Sequence, residues 1–196
     1  MSLTTTANRA AILGILLALT AGCSSKKDPN KANFKDAINT WYSAHPECLW
    51  TTSVKFPVRA DTDDAGKTSQ YDALTDQGML VRQQDTRKVF IFGTKQVNDY
   101  DISEKGRTTW TADPQQPGFG NFCYGHRDVS SIDDFTANGG NATADYHYRL
   151  GAVAPWANNQ EIKTAFPTVE ANLAGSLSDR ANLVLGDNGW VMAKAN

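Results

Sequence analysis

Histidine and cysteine are the residue types in this chain best suited to metal or redox chemistry, and four of them fall into two mirrored pairs. "HPEC" holds His45 and Cys48, and "CYGH" holds Cys123 and His126, each pair separated by two residues. As one set they have the ligand types and spacing of a tetrahedral zinc site, in which both thiolates and both imidazoles lie roughly 2.0–2.3 Å from the ion. The same two cysteines can instead bond to each other, or remain unpaired structural thiols. The redox state of the compartment in which the chain folds decides among these outcomes.

The third histidine, His147, lies between Asp145 and Arg149, with the acidic pair Asp133 and Asp134 upstream. A histidine with a carboxylate can perform general acid–base chemistry, so His147 or His126 with an aspartate is the candidate catalytic pair of a hydrolase. A solvated strand face accounts for His147 equally well. No G-x-S-x-G, H-E-x-x-H or glycine-rich phosphate loop occurs, and no cofactor is expected.

The compartment is indicated by "MSLTTTANRAAILGILLALTAGCSS". One positive charge at Arg9 is followed by an uncharged apolar run to Gly22 and then Cys23. The run is too short to span about 30 Å of hydrocarbon as a permanent helix and has the layout of a secretory signal. "LTAGC", with Ala21 and Gly22 before Cys23, resembles a bacterial lipobox, although Thr20 and not leucine stands three before the cysteine. The resemblance implies a signal peptide over residues 1–22, lipidation of Cys23, and a durable membrane anchor through several acyl chains. Ser24, rather than aspartate, follows the cysteine, which favours the outer membrane, with the body facing the periplasm. An ordinary cleaved signal that leaves Cys23 as a free thiol is the other reading.

Removing residues 1–22 takes Arg9 with it and leaves 174 residues, with 18 basic against 21 acidic side chains, a net charge of −3. That length suits one domain or two small ones sharing a core. Mild acidity gives no electrostatic reason to expect a nucleic-acid partner. Export to an oxidising envelope would favour a Cys48–Cys123 disulfide over the zinc site, closing a long loop between the two halves of the chain.

The elements that must position these residues follow from pattern. Residues 23–33 are small, polar and basic, and read as a flexible tether. Phe34, Ala37, Ile38, Trp41 and Tyr42 recur at helical spacing, giving a helix to about His45 with Asn33 as N-cap and Pro46 as stop. "SQYDALTDQGMLVRQ" reads as a short helix ended by Gly78 and leading into a strand. "RKVFIFG" reads as an apolar strand, and "YDISEKGR" as another before a turn at Gly106. "TADPQQPGFG" marks the boundary between a half at 34–115 and a half at 116–196. Beyond it, "CYGHRDVSSIDDF" is one long or two short strands, and "NGGNAT" is a turn. "ATADYHYRL" alternates Ala144, Tyr146, Tyr148 and Leu150 against Asp145, His147 and Arg149. "PWANNQEIKTAFPTV" offers one helix, and "ANLVLGDNGWVMA" a closing hairpin.

Leu74, Gly78, Leu80, Tyr100, Ile102, Ser103, Gly106 and Arg107 give the first half an outline similar to winged-helix modules. The helix there carries two acids and no base, so DNA reading is not implied. The tyrosine strand and the closing "GW" hairpin resemble small cystatin-like or NTF2-like envelope lipoproteins. Phe122–Gly125, Tyr146–Leu150, Pro155–Ala157 and Gly189–Trp190 together resemble uncharacterised lipoproteins of Gram-negative bacteria, a resemblance that implies class and location but no chemistry. The expected fold is α+β: an N-terminal helix and a small mixed, winged-helix-like half packed on an antiparallel sheet with one helix. The expected role is a lipid-anchored, non-enzymatic binding or scaffold module of the cell envelope, reaching the membrane through its lipid and engaging an envelope protein or the cell wall. The alternatives are the hydrolase above and a metal- or redox-responsive lipoprotein using Cys48 and Cys123.

Overall fold

The computed structural model describes residues 25–89 and 93–193. Cys23 and the expected signal peptide lie outside the described residues. The polar stretch read as a tether is tied to the body from Ser25 onward. The Ser25 amide donates to Asp28, and the Asn33 side chain bridges the carbonyls of Ser25 and Asp28. Helix α1 spans Lys31–Ala44, capped by Asn30, whose side chain accepts from the Asn33 amide at 2.9 Å. The cap is therefore Asn30 and not Asn33. The helix begins a turn's length before its apolar stripe, because a cap is fixed by local polar geometry and not by burial.

Three short strands follow: β1 (Glu47–Cys48), β2 (Val54–Lys55) and β3 (Val58–Asp61). Helix α2, Ala65–Asp76, is capped by Asp64 and ends at Gly78, whose φ of 71° suits a residue without Cβ. Strands β4 (Leu80–Val89) and β5 (Gly93–Ile102) form a hairpin whose tip, including Phe90–Phe92 of the "RKVFIFG" segment, lies outside the described residues. The strand expected after Gly78 and the start of "RKVFIFG" are one strand, which begins seven residues before that segment, and β4 is exposed from Val81 to Lys88. Ion pairs stabilise it there in place of apolar burial. Arg59 bonds Asp99 at 2.6 Å and Asp85 at 3.2 Å, and Arg87 and Lys95 both reach Asp61. Gly106 belongs to a helical turn, α3 (Glu104–Arg107), capped by Ser103, and not to an open turn.

The remaining elements are β6 (Trp110–Ala112), β7 (Phe119–Asn138), β8 (Asn141–Gly151), α4 (Gln160–Ala165), α5 (Pro167–Leu173), β9 (Leu177–Gly186) and β10 (Gly189–Met192), with a 3₁₀ turn at Pro155–Asn158. β7 is one long strand with register shifts near Ser130 and Asp133, and Gly139 and Gly140, both at positive φ, turn it into β8. The segment read as one helix is three pieces. Pro167 lacks the N–H that a continuing helix needs and opens α5 as its first residue.

The fold is α+β. An antiparallel sheet runs β1-β7-β8-β9-β10, with β2 and β6 also paired to β7, and a second sheet runs β3-β5-β4. Two hydrophobic clusters result, and both draw on early and late parts of the chain. α1 lays Phe34, Ala37 and Ile38 on Tyr146, Tyr148, Leu183 and Trp190 of the large sheet. In the other cluster Leu74, Met79 and Tyr100 of the first half pack with Phe122, Tyr124, Ile162 and Phe166 of the second. No helix among the described residues is long and apolar enough to cross a membrane.

Candidate functional site

Antiparallel pairing of β1 with β7 sets Cys48 directly opposite Cys123, and their sulfurs are 2.06 Å apart in a disulfide that spans 75 residues. Directly opposed residues of such a pair have side chains close enough to bridge. With both sulfurs bonded, the zinc alternative has no thiolates. The histidines also turn elsewhere. The His45 ring stacks on Trp41, with centroids 3.7 Å apart, and its Nδ1 lies 2.8 Å from the Trp41 carbonyl. His126 Nε2 lies 3.0 Å from Asp128 Oδ1. The set His45, Cys48, Cys123 and His126 therefore does not converge on one point. A C-x-x-H spacing gathers ligands when the chain turns between them, whereas here both residues lie in a strand that carries them apart.

His147, on the outer face of β8, is held at both ring nitrogens. Nε2 is 2.9 Å from Asp133 on β7, and Nδ1 is 2.8 Å from the Ser178 hydroxyl on β9. Ser131 also donates to Asp133. The row continues with Arg180 on Asp145, and with Thr143 on Asn182. A serine, a histidine and a carboxylate are the members of an acyl-transfer relay. Ser178 is the member that sequence reasoning missed, because only the β8–β9 register brings it to His147. The side chains of His147 and Asp133 are 43% and 45% exposed, so the row is open to water. The desolvation that strengthens charge interactions in an enclosed active site is missing there.

The inner face of the same sheet holds a half-buried charged cluster. Arg127 lies between the rings of Tyr42 and Tyr148, its guanidinium 4.7 and 4.5 Å from their centroids. It bonds Glu47 and Asp179 at 2.6 Å each and reaches the Tyr146 hydroxyl at 3.3 Å. Burial alone would lower its pKa, but the hydrogen bonds to the two carboxylates outweigh burial and hold it above the ordinary arginine value. Burial, reinforced by the Tyr42 hydroxyl, raises Tyr146. Asn172 on α5 donates to Tyr124 at 2.8 Å and faces Glu47. Arg127 thus joins α1, β1, β7, β8 and β9. Its polar bonds are to the protein's own groups, which marks it as an organising centre.

A groove with room for a ligand lies between α1 and β10. Its volume is about 420 Å³, and its apolar lining includes Ala37, Trp41, Ala44, Trp190, Val191 and Met192. Lys26, Asn33, Asp36, Thr40, His45 and Asn188 are the polar members of its lining. Trp190 is fixed by edge-on packing against Phe34 and by donating its indole N–H to the Lys27 carbonyl at 3.1 Å. Val191 remains 50% exposed. The size and the mixture of apolar lining with a few polar groups are those of small-molecule sites. A second depression, of about 700 Å³, runs beside the disulfide past Trp50, Asp113 and Asn121.

Compared with known proteins, the chain matches no family model, no curated protein and no solved structure.

Proposed function

We propose that this chain is a lipid-anchored protein of the bacterial cell envelope whose folded body acts as a non-enzymatic binding or scaffold module facing the periplasm. The observation that carries the reading is the order of Arg9, the apolar run, Ala21, Gly22 and Cys23, the order that signal cleavage and lipid attachment require. The Cys48–Cys123 disulfide supports it, because such bonds persist in oxidising compartments. A groove whose lining mixes apolar side chains with a few polar groups supports a binding role. The test is to express the full chain in a Gram-negative host and separate the membranes. The protein is expected in the outer-membrane fraction with acyl groups on Cys23, and a Cys23→Ala variant is expected to carry no acyl mass and to leave that fraction. A wild-type chain that is soluble in the periplasm contradicts the reading.

One observation favours a second reading, a hydrolase: His147 is bonded to both Ser178 and Asp133. Its signature is an esterase or amidase activity abolished alike by Ser178→Ala and His147→Ala. The binding-module reading expects no such activity, and equal stability and localisation for both variants.

A further inference from the structure

The groove between α1 and β10 lies where the chain enters the folded body. Lys26 is one of its lining residues, and the Lys27 carbonyl is fixed on Trp190. Gly189 makes that contact possible, since a Cβ built there would stand 2.9 Å from the Lys26 carbonyl oxygen, closer than side-chain carbons approach. The entry point is thus packed against the groove and not placed near it by chance. Cys23 precedes Lys26 by three residues, a reach of roughly 10 Å even when fully extended.

We propose that this groove receives one fatty acyl chain of the lipid-modified Cys23 of the same molecule, an inference that rests on the lipid-anchor reading. The lining matches an unbranched apolar occupant. Ala37 and Ala44 leave space on the helix side, Trp41 and Trp190 form apolar walls, and Val191 and Met192 extend the surface along the strand. The polar members of the lining, Lys26, Asn33 and Asp36 among them, suit a glycerol or ester end. A tether this short keeps the chain at high effective concentration beside the site, and transfer from bilayer to groove exchanges one apolar surrounding for another. Val191, half exposed on an otherwise packed strand, would gain a cover.

The test uses the full chain processed in a bacterium fed a fatty acid bearing a diazirine photolabel. The purified protein is placed in unlabelled phosphatidylethanolamine–phosphatidylglycerol vesicles with an equal amount of isotope-heavy, unlabelled protein, and then irradiated. The expected result is a crosslink from the Cys23 acyl chain to Trp41, Val191 or Met192 of the same light molecule. Its yield should fall roughly tenfold in an Ala44→Asp, Val191→Asp variant, whose charges oppose apolar occupancy, while thermal midpoint and disulfide content stay unchanged. Acylated Cys23 with crosslinks confined to vesicle lipid, or made to the heavy copy, overturns the groove assignment and leaves the anchor reading standing. A Cys23 without acyl mass overturns both.

Discussion

Arg127 and Glu47 face each other across β7 and β1, guanidinium nitrogen and carboxylate oxygen 2.6 Å apart, although 80 residues separate them in sequence. Their side chains are only 18% and 19% exposed. Removing Arg127 leaves the half-buried Glu47 carboxylate with only Asn172 beside it and opens a gap between the Tyr42 and Tyr148 rings. Arg127→Ala is therefore expected to lower the unfolding free energy by about 3 kcal/mol, measured by urea titration. Arg127→Lys should cost part of that, because it keeps the charge and loses the two-pronged bonds and ring stacking. An alanine variant as stable as the parent contradicts the organising role of Arg127.

Tyr100 is one of several buried tyrosines that contribute to the alkaline limit. Burial and its hydrogen bond to Asp72 push its hydroxyl up to about 12, against about 10 in an unfolded chain. A group raised in the folded state contributes in full below its unfolded value and loses that contribution as pH rises through its folded one. Stability should thus fall by about 2–3 kcal/mol from this group between pH 10 and 12. The slope should be shallower in Tyr100→Phe. Chemical denaturation at stepped pH reads it, and identical slopes in both proteins contradict the assignment.

The acid limit has the opposite sign. Hydrogen bonds to Arg59, Lys95 and Arg180 hold the carboxyls of Asp99, Asp61 and Asp145 below the usual carboxylate range. Their contribution is present above the unfolded value of about 4 and is lost as pH falls below it. All three pairs are reached by solvent, so salt should weaken the effect. Denaturation midpoints at pH 3 and pH 6, in low and high salt, check this. A pH 3-to-6 difference that does not shrink in high salt contradicts it.

The fold tolerates no side chain at Gly106, where a Cβ would collide with the Met79 carbonyl at the junction of α2, β4 and α3. Ser103 closes the same junction by donating to the Gly78 carbonyl at 2.6 Å. Gly106→Ala is expected to destabilise by about 2–3 kcal/mol. The control Gly93→Ala, which meets nothing within 4 Å but has φ 93°, should cost about 1 kcal/mol. Equal losses at the two positions would contradict a collision cost at Gly106, which has no positive φ to add to it.

What the sequence could carry was periodicity. The apolar stripe of α1, the Ala144–Tyr146–Tyr148 alternation of β8 and the "DNG" hairpin between β9 and β10 follow the expected pattern, because burial repeats with the geometry of each element. A strand after Gly78 was legible, but the continuity of β4 was not, since Arg82, Asp85 and Arg87 are satisfied by charges on neighbouring strands and helices and not by burial. The split of the late helix at Pro167 was present in the sequence as a helix breaker inside an apolar run. The Ser178–His147 contact and the Arg127 centre had no local signal, because both depend on long-range strand register. The cysteine pair lay between these cases. The residues were plain, the signal region favoured their union, and only the β1–β7 pairing sets them opposite each other.

The most direct test of the account is one intact mass, taken without reduction, of the protein extracted from bacterial membranes. The predicted mass is that of residues 23–196 with a diacylglyceryl group on the Cys23 sulfur and an acyl group on its amine, less two hydrogens for the Cys48–Cys123 bond. A mass matching unmodified protein beginning at Cys23, or a chain that keeps residues 1–22, would contradict the central claim.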